Sequence, residues 1–287
     1  MEDNKPWALI SEVGKQGYIE EVTDILEEYF HIICHKDFLQ NSLVLGPKIQ
    51  TILMWNNRPA AEPSLLSLLP SLKVVSSGGV GIDHLDVPYI ASLGVKMTNT
   101  PGVVSDATAD IAMALLLASA RRIVEGHQIA VYSNITCLPL DLMGVEVTGS
   151  TLGIIGMGDI GCKIAQRGKG FDMKILYHNR NRRSFEDEHG NSGQHQQRDH
   201  PLLGLPNVLI TPHVGTNTIA TTRKMVLMMV DNADHPLLGL PNVLITPHVG
   251  TNTIATTRKM VLMMVDNALA VLNGHVVPNE VKPKLLH

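Results

Sequence analysis

Residues 151–161 read Thr151-Leu152-Gly153-Ile154-Ile155-Gly156-Met157-Gly158-Asp159-Ile160-Gly161. The apolar run 152–155 predicts a short strand, and residues 162–170 predict a helix. Between them stands a G-x-G-x-x-G turn. Its glycines permit a tight bend and bring backbone N–H groups close to a pyrophosphate. The helix N-terminus adds partial positive charge there. Alone the motif is weak; with a strand before it and a helix after it, it reads as a dinucleotide-binding turn in a parallel α/β sheet. Gly156, Gly158, Asp159, Ile160 and Gly161 are then cofactor-binding candidates. The competing reading is an ordinary strand–helix turn without a ligand.

Downstream, residues 174–177 predict the next strand, which ends in His178-Asn179-Arg180-Asn181-Arg182-Arg183. An NAD site usually places Asp or Glu here for the ribose hydroxyls, and no acid occurs until Glu186. Arginine suits a 2′-phosphate, so Asn179, Arg180 and Arg182 point to NADP(H) in preference to NAD(H). A solvated basic turn is the alternative. Asp159 weakens phosphate affinity if its carboxylate points inward.

Upstream, strands and helices alternate. Short apolar runs at 7–10, 31–34, 49–55, 72–76 and 95–98 predict strands. Helical spacing at 18–30, 64–69 and 87–93 predicts helices. A long helix is expected over 107–131, capped by Ser105 or Asp106. Its centre, 111–118, is apolar all round and should be buried between domains or subunits. The fold class expected is α/β, with two Rossmann-like domains built on parallel sheets.

The chain has 287 residues, 44% of them hydrophobic and 17% charged, with a formal charge of −4. Wholesale disorder is excluded. No basic field exists for nucleic acid or an anionic membrane. No apolar run is long enough to span a bilayer, and residues 1–6 lack a signal-peptide core. Cys34, Cys137 and Cys162 are an odd, scattered set, which fits a reducing, cytoplasmic setting. His31, Cys34 and His35 lack a second cluster to complete a tetrahedron, so no metal site is expected.

Residues 199–233 and 234–268 are identical over 35 positions. Solenoid repeats keep a pattern and lose identity. Two perfect copies suggest a recent duplication or a mis-joined gene model. Each copy predicts strand, loop and helix, with Thr-Pro-His-Val-Gly at the strand end. The polar stretch 184–198 before them reads as a linker.

Several motifs, in this order, resemble those of the D-isomer-specific 2-hydroxyacid dehydrogenases. They are Ser77-Gly78-Gly79-Val80-Gly81-Ile82-Asp83-His84-Leu85-Asp86, Asn99-Thr100-Pro101-Gly102-Val103, Thr108-Ala109-Asp110, the glycine turn, and Thr-Pro-His-Val-Gly. The most similar branch is the NADP-dependent glyoxylate/hydroxypyruvate reductases. The resemblance implies a substrate domain, 1–104 plus 273–287, and a cofactor domain, 105–272. It implies Val80 and Gly81 as backbone donors to a substrate carboxylate, which agrees with a glycine turn acting as an anion nest. It implies Thr108 beside the cofactor. It implies hydride transfer to a 2-oxo acid, with a histidine as proton donor at His213 or His248. His248 is preferred, because it precedes the natural C-terminal continuation. The family's long helix commonly lies in a dimer interface, so a homodimer is an expectation.

The sequence departs from that family in two places. No Asn-Thr-x-Arg-Gly run, which normally supplies a substrate-gripping arginine, occurs. Between His189 and Asn279 there is no glutamate to pair with the histidine. The cofactor domain is therefore expected to lack strands and to carry its last strand–helix unit twice. The chain should be impaired, or act as a non-catalytic dinucleotide-binding or dimerising protein.

Overall fold

The computed structural model describes residues 5–14, 17–132, 143–178 and 250–283. They divide into two compact units. The first holds the described residues up to Val104 and from Asn252 onward. The second holds those from Ser105 to His178, with 250–251.

The first unit is a six-stranded sheet. Its strands are β1 (Trp7–Ile10), β2 (His31–Cys34), β3 (Ile49–Met54), β4 (Val74–Ser77), β5 (Lys96–Thr98) and β8 (Glu280–Val281), in the order β2-β1-β3-β4-β5-β8. All neighbours are parallel except β5 and β8, where Met97 faces Val281 and Thr98 faces Glu280 in antiparallel register. The sheet is thus mixed at one edge, where the sequence reading expected parallel strands alone. A two-residue strand entering from the C-terminal side needs no crossover helix and can pair antiparallel.

Side chains alternate between two cores, as a period of two requires. Leu9, Ile52, Met54 and Val75 face one core, with Phe38, Leu65, Leu66 and Ile90. The last four come from α2 (His35–Gln40), α4 (Pro63–Leu66) and α5 (Val87–Ser92). Ala8, Ile10, Leu53 and Val74 face the other core. There they meet Val22, Ile25 and Leu26 of α1 (Glu20–Tyr29) and Val261, Met264, Val265 and Ala268 of α9 (Ile254–Leu272). Glu20 and Glu21 occupy the first turn of α1, where acids suit the helix dipole. Asp86 caps α5 by accepting from the Tyr89 N–H at 3.1 Å, and the Thr253 hydroxyl caps α9 by accepting from the Thr256 N–H at 3.1 Å.

Helix α9 corrects the expected domain boundary. The sequence reading returns the chain to the first domain at residue 273, but the return begins at Asn252. The reason is burial: α9 supplies half of one helical cover, so it belongs to the sheet it covers. Two further differences are local. Residues 35–40 and 42–45 are short helices, α2 and α3 (Ser42–Leu45), which the sequence reading did not include. The expected helix 107–131 is two helices, α6 (Ser105–Ala120) and α7 (Ile123–Tyr132). Arg122, at φ 51°, breaks it in a left-handed conformation.

The second unit contains α6, α7, α8 (Asp159–Lys169) and a parallel pair, β6 (Thr151–Ile155) with β7 (Lys174–His178). Its core is Ile154, Met157, Cys162, Ala165, Met173 and Ile175. α6 meets α8 through charge. Arg167 donates to Asp110 at 2.7 Å and to Asp106 at 3.3 Å, and Lys163 lies 3.1 Å from Asp106. Lys163 and Arg167 hold the Asp106 carboxyl below its ordinary range. Among the described residues no helix is long and apolar enough to cross a membrane.

Candidate functional site

In the first unit, the loop after β4 is shaped by its surroundings at three successive glycine and valine positions. A Cβ on Gly78 would stand 2.9 Å from Met264 Sδ and 3.0 Å from the Trp55 ring, so a side chain there would have to displace them. Gly79 has φ +140°, a region that side chains avoid. Its N–H donates to Thr100 Oγ1 at 2.7 Å, and its carbonyl accepts from the Thr100 N–H at 2.8 Å. Asn99 Nδ2 donates to the Val80 carbonyl at 2.9 Å. Three hydrogen bonds from Asn99 and Thr100 thus hold Gly79 and Val80.

The N–H groups of Val80 and Gly81 make no hydrogen bond to another described residue. Val80 is 48% exposed and Gly81 is half-buried. Two adjacent N–H groups without a partner among the described residues, on a tethered turn, suit a carboxylate. Behind the turn, Ser77 Oγ lies 3.1 Å from His84 Nε2. Burial lowers the His84 pKa to about 4, against a smaller opposing effect of Asp83. The imidazole is therefore neutral near pH 7, and its Nδ1 has no partner among the described residues. It ties the two ends of the loop together as a neutral group.

In the second unit, the turn 156–161 joins β6 to α8. Gly156 has φ +96°, and added Cβ atoms on Gly156 and Gly158 would meet nothing within 4 Å. A Cβ on Gly161 would stand 2.3 Å from the Gly156 carbonyl oxygen, so that third glycine closes the turn against itself. Open space over the first two glycines and tight packing at the third are what a pyrophosphate-cradling turn requires, and the residues fit a dinucleotide. Asp159 is exposed in the first turn of α8, and Ile160 is half-buried.

Thr108 lies half-buried in α6 rather than at a cap, since the helix already begins at Ser105. Gly250, two residues after His248, approaches it closely: a Cβ there would lie 3.3 Å from Thr108 Cγ2. Asn179, Arg180, Arg182, His213 and His248 lie outside the described residues. So do Cys137, the linker 184–198, the whole first repeat copy and the second copy as far as residue 249. Sequence reasoning missed Asn99, Thr100 and His84 as parts of the loop site, although all three stand within the quoted motifs.

Comparison with known proteins agrees with this geometry. A glyoxylate reductase of Aeropyrum pernix is 46% identical over 132 residues, covering 44% of this chain and 39% of that protein. One from Thermococcus litoralis is 44% identical over 132 residues, covering 44% of this chain and 40% of that protein. The matched stretch thus spans about two fifths of these relatives' length. The NADPH-dependent glyoxylate/hydroxypyruvate reductase of Sinorhizobium meliloti, solved with NADP and malonate, superposes with a TM-score of 0.69 at 22% identity. That superposition covers 98% of this chain and 99% of the other and speaks to fold. The family model for the catalytic domain of D-isomer specific 2-hydroxyacid dehydrogenases matches residues 8–282, and the chain belongs to that family.

Proposed function

We propose that the chain is built as a glyoxylate/hydroxypyruvate-type reductase that prefers NADP(H), and that its own turnover is impaired. The observation that carries the first half is the pair of N–H groups at Val80 and Gly81 that bond to no other described residue, on a loop whose preceding residue is tied at both its N–H and its carbonyl. That pair would grip the carboxylate of a 2-oxo acid. Gly156, Gly158, Ile160 and Gly161, with the α8 N-terminus, would hold the pyrophosphate, and Thr108 would border the nicotinamide half. Asn179, Arg180 and Arg182 would take the 2′-phosphate. A bound nicotinamide dinucleotide would supply the hydride.

His248 would hand a proton to the carbonyl oxygen. The close approach of Gly250 to Thr108 supports this role for His248, because it brings the end of that copy's motif beside a cofactor candidate. Impairment follows from the sequence. The substrate-gripping Arg motif is absent, and no glutamate between His189 and Asn279 can keep the imidazole protonated. A non-catalytic dinucleotide-binding role is favoured by the same two absences. Exposed Ile123, Val124 and Val131 on α7 support a homodimer through this region.

The test is an assay of the purified chain with NADPH and glyoxylate or hydroxypyruvate. Turnover is expected to fall at least about 100-fold below that of an intact relative, the scale of a lost general acid–base pair. Turnover approaching the relative's would overturn the impairment. Failure of NADPH to bind would overturn the cofactor assignment.

A further inference from the structure

The loop that presents Val80 and Gly81 is held from behind by a chain of amides. Asn279 Nδ2 donates to Asn267 Oδ1 at 3.1 Å, Asn267 Nδ2 donates to the Asn99 carbonyl at 3.0 Å, and Asn99 Nδ2 donates to the Val80 carbonyl at 2.9 Å. The Asn99 N–H in turn donates to the Asn279 carbonyl at 3.3 Å. Asn267 is 0% exposed, in the C-terminal half of α9, among apolar residues. A buried amide there costs stability unless both its ends are satisfied, and both are. A second polar tie joins the same helix to the other arm of the loop. Ser76 Oγ donates to the Met264 carbonyl at 3.1 Å, and Thr98 Oγ1 donates to Ser76 Oγ at 2.9 Å.

We propose that Asn267 is a positioning residue for the carboxylate-binding loop, acting through Asn99, and that this role belongs to the second repeat copy alone. The proposal rests on the reading of Val80 and Gly81 as carboxylate donors. Apolar packing would suffice to dock α9 against β3 and β4. The polar chain adds direction: it sets the height of residues 99 and 100 against the loop, and those two residues hold Gly79 and Val80. The repeat provides an internal control, because Asn232 occupies the same place in the first copy within an identical 35-residue context.

The experiment is calorimetric titration of the full chain with oxalate, a non-reacting dicarboxylate that mimics a 2-oxo acid. It compares the wild type with Asn267→Ser, Asn99→Ala and Asn232→Ser. Asn267→Ser and Asn99→Ala are expected to weaken oxalate binding about five- to tenfold, the scale of one hydrogen bond. Asn232→Ser is expected to bind as the wild type does. Hydrogen exchange separates positioning from general damage: the hydrogen-bonded Gly79 and Thr100 amides should exchange faster in Asn267→Ser while that of Leu53 in β3 stays protected. Unchanged affinity in Asn267→Ser, or equal weakening in Asn232→Ser, would overturn the proposal. If Asn267→Ser does not fold, Asn279→Ala decides: Asn279 is only partly buried, its loss frees Asn267 Oδ1, and unchanged oxalate affinity there would overturn the proposal. A wild type that does not bind oxalate removes the carboxylate reading first and this inference with it, a result seen before any variant is compared.

Discussion

The two units of this chain use the same local grammar, strand followed by helix, with different results. In the first, β1, β3 and β4 are covered on both faces, and Leu9, Ile10, Ile52, Leu53, Val74 and Val75 are buried. In the second, β6 and β7 pair over five residues, yet Ile155 is 70% exposed and Leu176 is 48% exposed among the described residues. Backbone pairing is intact in both units. Among the described residues what differs is the apolar cover, and cover carries most of the stabilisation of a parallel sheet. The comparison also locates the repeat: its last helix, α9, is part of what makes the first unit complete.

The sharpest way to break this comparison is to place a charge at one position in each repeat copy. Val261→Asp puts a carboxylate into the core against Val74 and Leu53, and is expected to cost about 4 kcal/mol or more. Val226→Asp, the same change in the first copy, should leave the melting of the first unit unchanged. Thermal denaturation followed by circular dichroism reads both, and an equal loss in the two variants would remove the distinction between the copies.

Truncations test the difference in cover. Ile52→Ala, in a fully covered strand, is expected to cost about 3–4 kcal/mol, within the range for core truncation. Ile154→Ala, in the smaller core, should cost about 2 kcal/mol, because neighbours with a free side can relax into the gap. Urea denaturation of each variant gives the two values; a larger loss at Ile154 would reverse the comparison.

Acid should act on the first unit through His84. Its pKa is ordinary in the unfolded chain and lowered to about 4 in the fold by burial. The unfolded state therefore binds more protons between those values, and stability falls as pH drops from about 6.5 toward 4. The full effect is about 3 kcal/mol, reached only near the lower pKa. A His84→Gln variant should show a flatter pH–stability curve over that window. At the far end of the scale, Glu280→Gln removes the 3.0 Å pair with Lys96 between β8 and β5. Both side chains reach water, so the expected loss is under about 1 kcal/mol, and it should shrink further in high salt.

Much of the first unit was legible in the chain because its strands are short, β-branched runs separated by turn residues. The glycine turn was legible because its two context requirements are local. Three things were not. The break at Arg122 depends on a backbone conformation that apolar periodicity does not report. The antiparallel β8 is two residues long and acquires its partner only in three dimensions. The Asn267–Asn99 bond joins residues 168 apart, and nothing in the pattern of α9 distinguishes an asparagine that steadies a loop from one facing solvent. The candidates Val80 and Gly81 came from resemblance; the residues that hold their loop required coordinates.

The split course of the first unit has a consequence for synthesis. Strands β1 to β5 leave the ribosome about 150 residues ahead of α9 and β8, which at ordinary translation speed is a delay of roughly 10–30 s. During that time the apolar face formed by Ala8, Ile10, Leu53 and Val74 has only α1 over it. The nascent sheet waits for its closing helix, while a stretch of identical sequence, residues 199–233, emerges first.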